Sequence, residues 1–153
     1  MSFTAELFQI ADAVRADLAA QEFLGDVAPA FAAHPVFDLS DLATVAMKVY
    51  VLPHGFADSL ATRNAQWHDN DVDIVVIKKM TLVNGQFDIG ELDQMAFLDQ
   101  QIGKHFAQAA LSDCPWAKWY RSQWILPDFA VVGLDSTSDL YKSGLRITYR
   151  TLR

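Results

Sequence analysis

The chain has 153 residues, carries 12 Lys and Arg against 19 Asp and Glu for a formal charge of −7, and is 52% hydrophobic. That length and apolar content predict a single α/β domain over residues 1–153 and exclude a disordered chain. The acidic balance argues against sequence recognition of nucleic acid, whose phosphates attract a surplus of Lys and Arg, and no uncharged run approaches the roughly 20 residues of a membrane helix.

Phe3, Leu7, Ile10, Val14 and Leu18 recur at steps of three and four, while Asp12, Arg15 and Glu22 fall elsewhere. This predicts an amphipathic helix from Phe3 to about Phe23, capped by Ser2 or Thr4, with Glu6 against the positive end of its dipole. Gly25 and Pro29 mark its end. The same charges interrupt what would be the apolar core of a signal peptide, so a cytoplasmic site of synthesis is the default expectation.

Val45 to Leu52 reads as a strand with Val45, Met47, Val49 and Val51 on one face and Lys48 and Tyr50 on the other. Pro53, His54 and Gly55 predict a turn, and Phe56 to Gln66 a more polar returning strand. Asp71 to Met80 holds Val72, Ile74, Val75, Val76 and Ile77, a β-branched run that predicts a central strand.

Asn84 and Gly85 supply a turn, and Asp88 followed three residues later by Glu91 has the spacing of a capping box. The helix that follows places Leu92, Met95, Leu98, Ile102, Phe106 and Ala109 on one stripe, with Asp93, Asp99, Gln100 and Lys104 pointing away. Trp116 to Phe129, with three tryptophans and Pro127, predicts an irregular strand and loop. The chain ends on a strand, Leu140 to Arg153, with Leu145, Ile147, Tyr149 and Thr151 facing the core and Arg146, Thr148, Arg150 and Leu152 on the other side. This order predicts an α+β fold: a mixed, mainly antiparallel sheet with two helices packed on one face.

No motif for acyl transfer, nucleotide binding or zinc hydrolysis occurs, so no catalytic residue, cofactor or metal is expected. His34, His54, His68 and His105 lack the spacing that would join two of them on a helix, and read as core or surface histidines. The cluster His68, Asp69, Asn70, Asp71 and Asp73 is dense enough for a hard cation but lacks the glycine and terminal glutamate of a calcium loop; a solvated strand entrance is its plainer reading. Cys114, the single cysteine, has no basic neighbour beside it and reads as a packing or loop residue. Lys78 and Lys79, and separately Arg146, Arg150 and Arg153, are either a solvated strand face or a docking patch for an acidic partner.

Three stretches together resemble a known family: Phe37, Asp38, Leu39, Asp41 and Leu42 leading into the strand at Val45; Asp71, Asp73, Ile74, Val75, Val76 and Lys78 ahead of a helix; and Asp139, Leu140 and Ser143 before Leu145, Ile147, Thr148, Tyr149 and Arg150. In this order they resemble small tail-completion proteins of long-tailed bacteriophages and prophages, of the tail-terminator or head-to-tail joining kind. Where many members have Phe and a small residue before the last strand, Tyr141 and Lys142 stand here. The resemblance implies a structural, non-enzymatic protein made in the bacterial cytoplasm and located in the virion at the head-proximal end of the tail. It implies a homo-oligomeric ring, commonly a hexamer, that ends tube polymerisation, with the tail tube protein and a head connector or neck protein as partners. Lys78, Lys79, Arg146, Arg150 and Arg153 then become candidate docking residues, and Trp67 and Phe56 candidate interface anchors, although core packing explains the aromatics nearly as well. A head-closure protein is the alternative within this class; a small ligand- or metal-binding enzyme domain using His68 to Asp73 is the alternative outside it.

Overall fold

In the computed structural model the residues described are 3–33, 47–126, 134–135 and 140–152. His34, the stretch from Phe37 to Leu42, Val45, Pro127, Asp139 and Arg153 lie outside them. The elements are α1 (Glu6–Ala19), a 3₁₀ turn (Glu22–Leu24), β1 (Ala30–Phe31), β2 (Met47–Thr62), β3 (Ala65–Lys79), β4 (Leu82–Val83), β5 (Gln86–Phe87), α2 (Ile89–Phe106), β6 (Lys118–Leu126), β7 (Leu134–Asp135) and β8 (Leu140–Leu152).

The main sheet runs β1-β2-β3-β8-β6, with β7 also pairing β8, and β4 and β5 form a separate small hairpin. β1 is parallel to β2 and the other pairings are antiparallel. Both helices pack on one face, where Ile10, Val14 and Leu18 of α1 and Met95, Ile102 and Phe106 of α2 join Val49, Val51, Val72, Ile74, Val76, Leu145, Ile147 and Tyr149 in one core. This is the α+β architecture expected from the element order. On the opposite face Tyr50, Leu52, Val75, Ile77 and Leu140 form a second buried apolar cluster. β3 therefore buries both faces along Ile74 to Ile77, which is why that run is almost continuously apolar.

The most consequential departure from the sequence pattern lies at residues 53–55. There is no turn; β2 continues through them to Thr62, and the reversal comes at Arg63 and Asn64. Pro53 lies opposite Val72 and Gly55 opposite Asp71, so His54 is the extra residue of a β-bulge. Such an interruption tolerates a Pro and a Gly without ending the strand. The bulge also exchanges the faces of β2: before it Val49 and Val51 meet the helices, after it Phe56, Asp58 and Leu60 share the face of Asn70, His68 and Gln66.

Other local details differ for identifiable reasons. Ala5, not Ser2 or Thr4, is the N-cap residue of α1 and its side chain caps nothing. The entering chain is held instead by Gln9 Nε2, which donates to the carbonyls of Phe3 and Thr4 at 2.8 and 3.3 Å, and by stacking of Phe3 on Phe31. Asp88 does cap α2, accepting from the Gly90 N–H at 3.0 Å. Glu91 does not close the expected box: its carboxylate accepts from the Thr81 N–H at 3.1 Å and pairs with Lys78 at 3.2 Å, while the Asp88 N–H bonds to the Thr81 carbonyl. Asn84 and Gly85, both at positive φ, make the two-residue turn between β4 and β5.

Candidate assembly surface

The face of the sheet away from the helices carries a ladder of opposite charges. Asp69, Asp71 and Asp73 of β3 stand directly across from Arg150, Thr148 and Arg146 of β8. Alternate residues of a strand share a face, so the dense sequence cluster separates: these three aspartates line the ladder, while His68 and Asn70 turn to the helix side. Arg146 grips Asp73 through two hydrogen bonds of 2.8 and 3.1 Å, and Arg150 grips Asp69 through two of 2.7 and 3.0 Å. Between them the Thr148 hydroxyl donates to Asp71 at 2.6 Å and accepts from Arg121 Nε at 3.4 Å. The hydrogen bonds that Arg146 donates to Asp73 first, and the carboxylate's charge next, hold its guanidinium pKa above the usual value; Asp69 does the same for Arg150.

A second bulge, in β6, completes this face. Trp119 lies opposite Tyr149 and Arg121 opposite Thr148, leaving Tyr120 as the extra residue. Its ring carries the Arg150 guanidinium at 3.6 Å, with Trp67 on Arg150 as well at 5.1 Å. Trp119 and Trp124 take the other face: Trp119 packs against the core and donates to Ser122 Oγ at 2.9 Å, while Trp124 lies under Gly103 of α2.

The sequence-predicted docking residues do not form one patch. Arg146, Arg150 and Trp67 share the ladder, where both guanidinium groups are engaged within the chain. Lys78 is at the other end of β3, on the helix side, paired with Glu91, and exposed Lys79 follows it. Phe56 stands on the helix side of the long hairpin arm and is 72% exposed, with Leu60 at 77%. A cleft of about 290 Å³ separates this arm from the first turn of α1, lined by Ala5, Glu6, Leu7, Phe56, Asp58, His68 and Asn70. At its wall His68 Nδ1 lies 2.5 Å from Asp58 Oδ1.

A second cleft, of about 600 Å³, opens where the last turns of α2 meet the 3₁₀ turn, lined by Phe23, Phe97, Gln100, Gln101, Lys104 and His105. Periodicity passes over this site because Phe97 lies off the core stripe; a large apolar residue among the polar positions of α2 is the signal that marks it.

The remaining chemistry-bearing residues are structural in their surroundings. Cys114 is buried, its thiol pKa is pushed up by burial and by nearby Asp113, and its Sγ lies 3.5 Å from the Gln9 carbonyl. His54 approaches Asp73 at 3.5 Å, and His105 packs edge-on against Phe106 and Phe23. Among the described residues no group of three or more His, Cys, Asp or Glu is placed to hold a metal ion, and no helix is long and apolar enough to cross a membrane.

Asp99 is the clearest correction on α2. Expected to face solvent, it is 5% exposed and accepts hydrogen bonds from the hydroxyls of Tyr141 and Ser143, the latter at 2.7 Å. Burial raises its pKa to about 6, against the lowering effect of those two donors. Both partners lie on β8, more than forty residues along the chain, beyond the reach of helical periodicity.

No family model matches the sequence, and no curated protein matches it. The fold does have solved counterparts: a chain of the virion of a native gene transfer agent (GTA) particle superposes with a TM-score of 0.60 at 14% identity, over 98% of this chain and 100% of that one.

Proposed function

We propose that this protein is a structural component of a phage-like particle, acting at the head-proximal end of the tail as a ring that ends tube growth and joins tail to head. The observation that carries this reading is the end-to-end fold match to a chain of a gene transfer agent virion, in which neither chain leaves an unmatched domain. The sequence resemblance to tail-completion proteins points the same way. The ladder face suits such a role, because its arginines are held by aspartates within the chain and so present a fixed pattern of charge to a neighbouring ring. In this reading the work is done by protein contacts, and no catalytic step is required.

The test is the solution mass of the purified protein across a concentration range, by light scattering after size exclusion, with negative-stain imaging and co-sedimentation with isolated tails. A closed ring with a central hole that binds tail ends is the expected result. A protein that stays monomeric and ignores tails overturns the reading, and retention on isolated heads alone reassigns the chain to head closure.

A further inference from the structure

The hairpin of β2 and β3 exposes an unusual face. Phe56, Asp58 and Leu60 project from it in line, opposite Asn70, His68 and Gln66, and both apolar members are more than two-thirds exposed. Four residues of strand separate Phe56 from Leu60 by about 13 Å, with the carboxylate midway. Among the described residues β1 covers β2 only at Tyr50 and Val51, so this stretch also lies on a strand edge. Exposed apolar side chains on a strand edge invite association unless a partner covers them.

The cleft at the end of α2 has the complementary pattern. Phe97, 58% exposed, and half-buried Phe23 supply apolar walls, Lys104 supplies positive charge at the negative end of the helix dipole, and the His105 ring lies beside it. His105 Nε2 is buried and has no hydrogen-bond partner among the described residues. An apolar-acid-apolar strand face thus has a counterpart of two phenylalanines flanked by a lysine and a histidine, on a protein whose net charge is −7.

We propose that the β2–β3 arm of one copy seats in the Phe23–Phe97 cleft of a second copy, with Phe56 and Leu60 as anchors and Asp58, which keeps His68 of its own arm as a neighbour, facing exposed Lys104. One chain cannot satisfy its own cleft. The arm adjoins the first turn of α1, whereas Phe23 follows the last, and α1 has 14 residues, a length of about 21 Å. Because the two surfaces differ, the contact is head-to-tail, and repetition closes into a ring when the rotation per copy allows. The inference rests on the ring reading above, for which it names the contact.

Cysteine cross-linking separates the two. In a Cys114→Ser background, Leu60→Cys and Gln100→Cys are made separately and together, leaving Phe56 and Phe97 intact. Under mild oxidation the two single variants should cross-link only when mixed, giving dimers, and the double variant should give a ladder ending at a discrete ring. Dimers of Leu60→Cys alone indicate arm-to-arm pairing and overturn the proposal, as does the absence of cross-links at any concentration. Cross-link failure while the protein still forms rings by light scattering refutes the arm contact and leaves the ring reading standing. An unending ladder or filament keeps the contact and refutes the ring. As an independent measure, Phe97→Ser should raise the concentration for half-association at least tenfold with an unchanged melting temperature; unaltered association overturns the proposal.

Discussion

The two ends of the β2–β3 hairpin belong to the same pair of strands and differ in what covers them. At one end Val49, Val51, Val72, Ile74 and Val76 lie under the helices and are almost wholly buried. At the other, Phe56 and Leu60 take the same face of the sheet and remain exposed past the first turn of α1. The bulge at His54 permits this, since without it Phe56 and Leu60 would share the face of Asp69 and Asp71. The comparison teaches that strand alternation assigns faces, whereas helix coverage decides which part of a face is core.

The largest expected effect tests the covered end. Ile74→Ala removes a fully buried side chain between the helices and the sheet and should cost about 2–5 kcal/mol, read as a shift in the urea midpoint. Phe56→Ser and Leu60→Ser at the other end should change monomer stability by no more than about 0.5 kcal/mol. Equal losses at the two ends would mean the arm is packed in the folded monomer and would break the comparison.

Asp99 sharpens it by asking how the covered face tolerates a charge. Its folded pKa of about 6 lies above the value of 3.8 for an unperturbed carboxyl. Its contribution is therefore fully present below about pH 4 and is lost as pH rises through about 6, on the order of 3 kcal/mol in all at ~1.4 kcal/mol per unit. Asp99→Asn should flatten the pH dependence of stability between pH 4 and 6, measured by denaturant titration; an unchanged slope would show that the carboxyl is not buried as described.

Smaller effects belong to the ladder. Asp73, whose side chain is 11% exposed, should cost about 1–3 kcal/mol when changed to Ala, because Arg146 loses both hydrogen bonds. Asp69→Ala should cost less, about 1 kcal/mol, because that carboxylate is more exposed and Arg150 keeps its aromatic partners. Reversing Arg146 or Arg150 would disturb these internal pairs as well as any docking contact. A joining defect in such a variant counts as docking only if the melting temperature is preserved.

The sequence by itself determined the α+β class, both helices, the β-branched and C-terminal strands and most of the core. Regular spacing of Leu7, Ile10, Val14 and Leu18, the β-branched run in β3 and the alternation in β8 are local signals, and local periodicity survives folding. It singled out Arg146, Arg150 and Phe56 as candidates, but not the internal ion pairs of the two arginines or the exposure of the phenylalanine. Only the tertiary structure decided that residues 53–55 form a bulge rather than a turn, that Asp99 is buried, that two arginines are ion-paired across β3 and β8, and that Phe97 borders a cleft. Each depends on partners brought from distant parts of the chain: Val72 opposite Pro53, Tyr141 and Ser143 under Asp99, Asp73 beside Arg146, and Phe23 near His105. A period of two or of 3.6 residues states which way a side chain points; what it meets there is fixed by packing between elements.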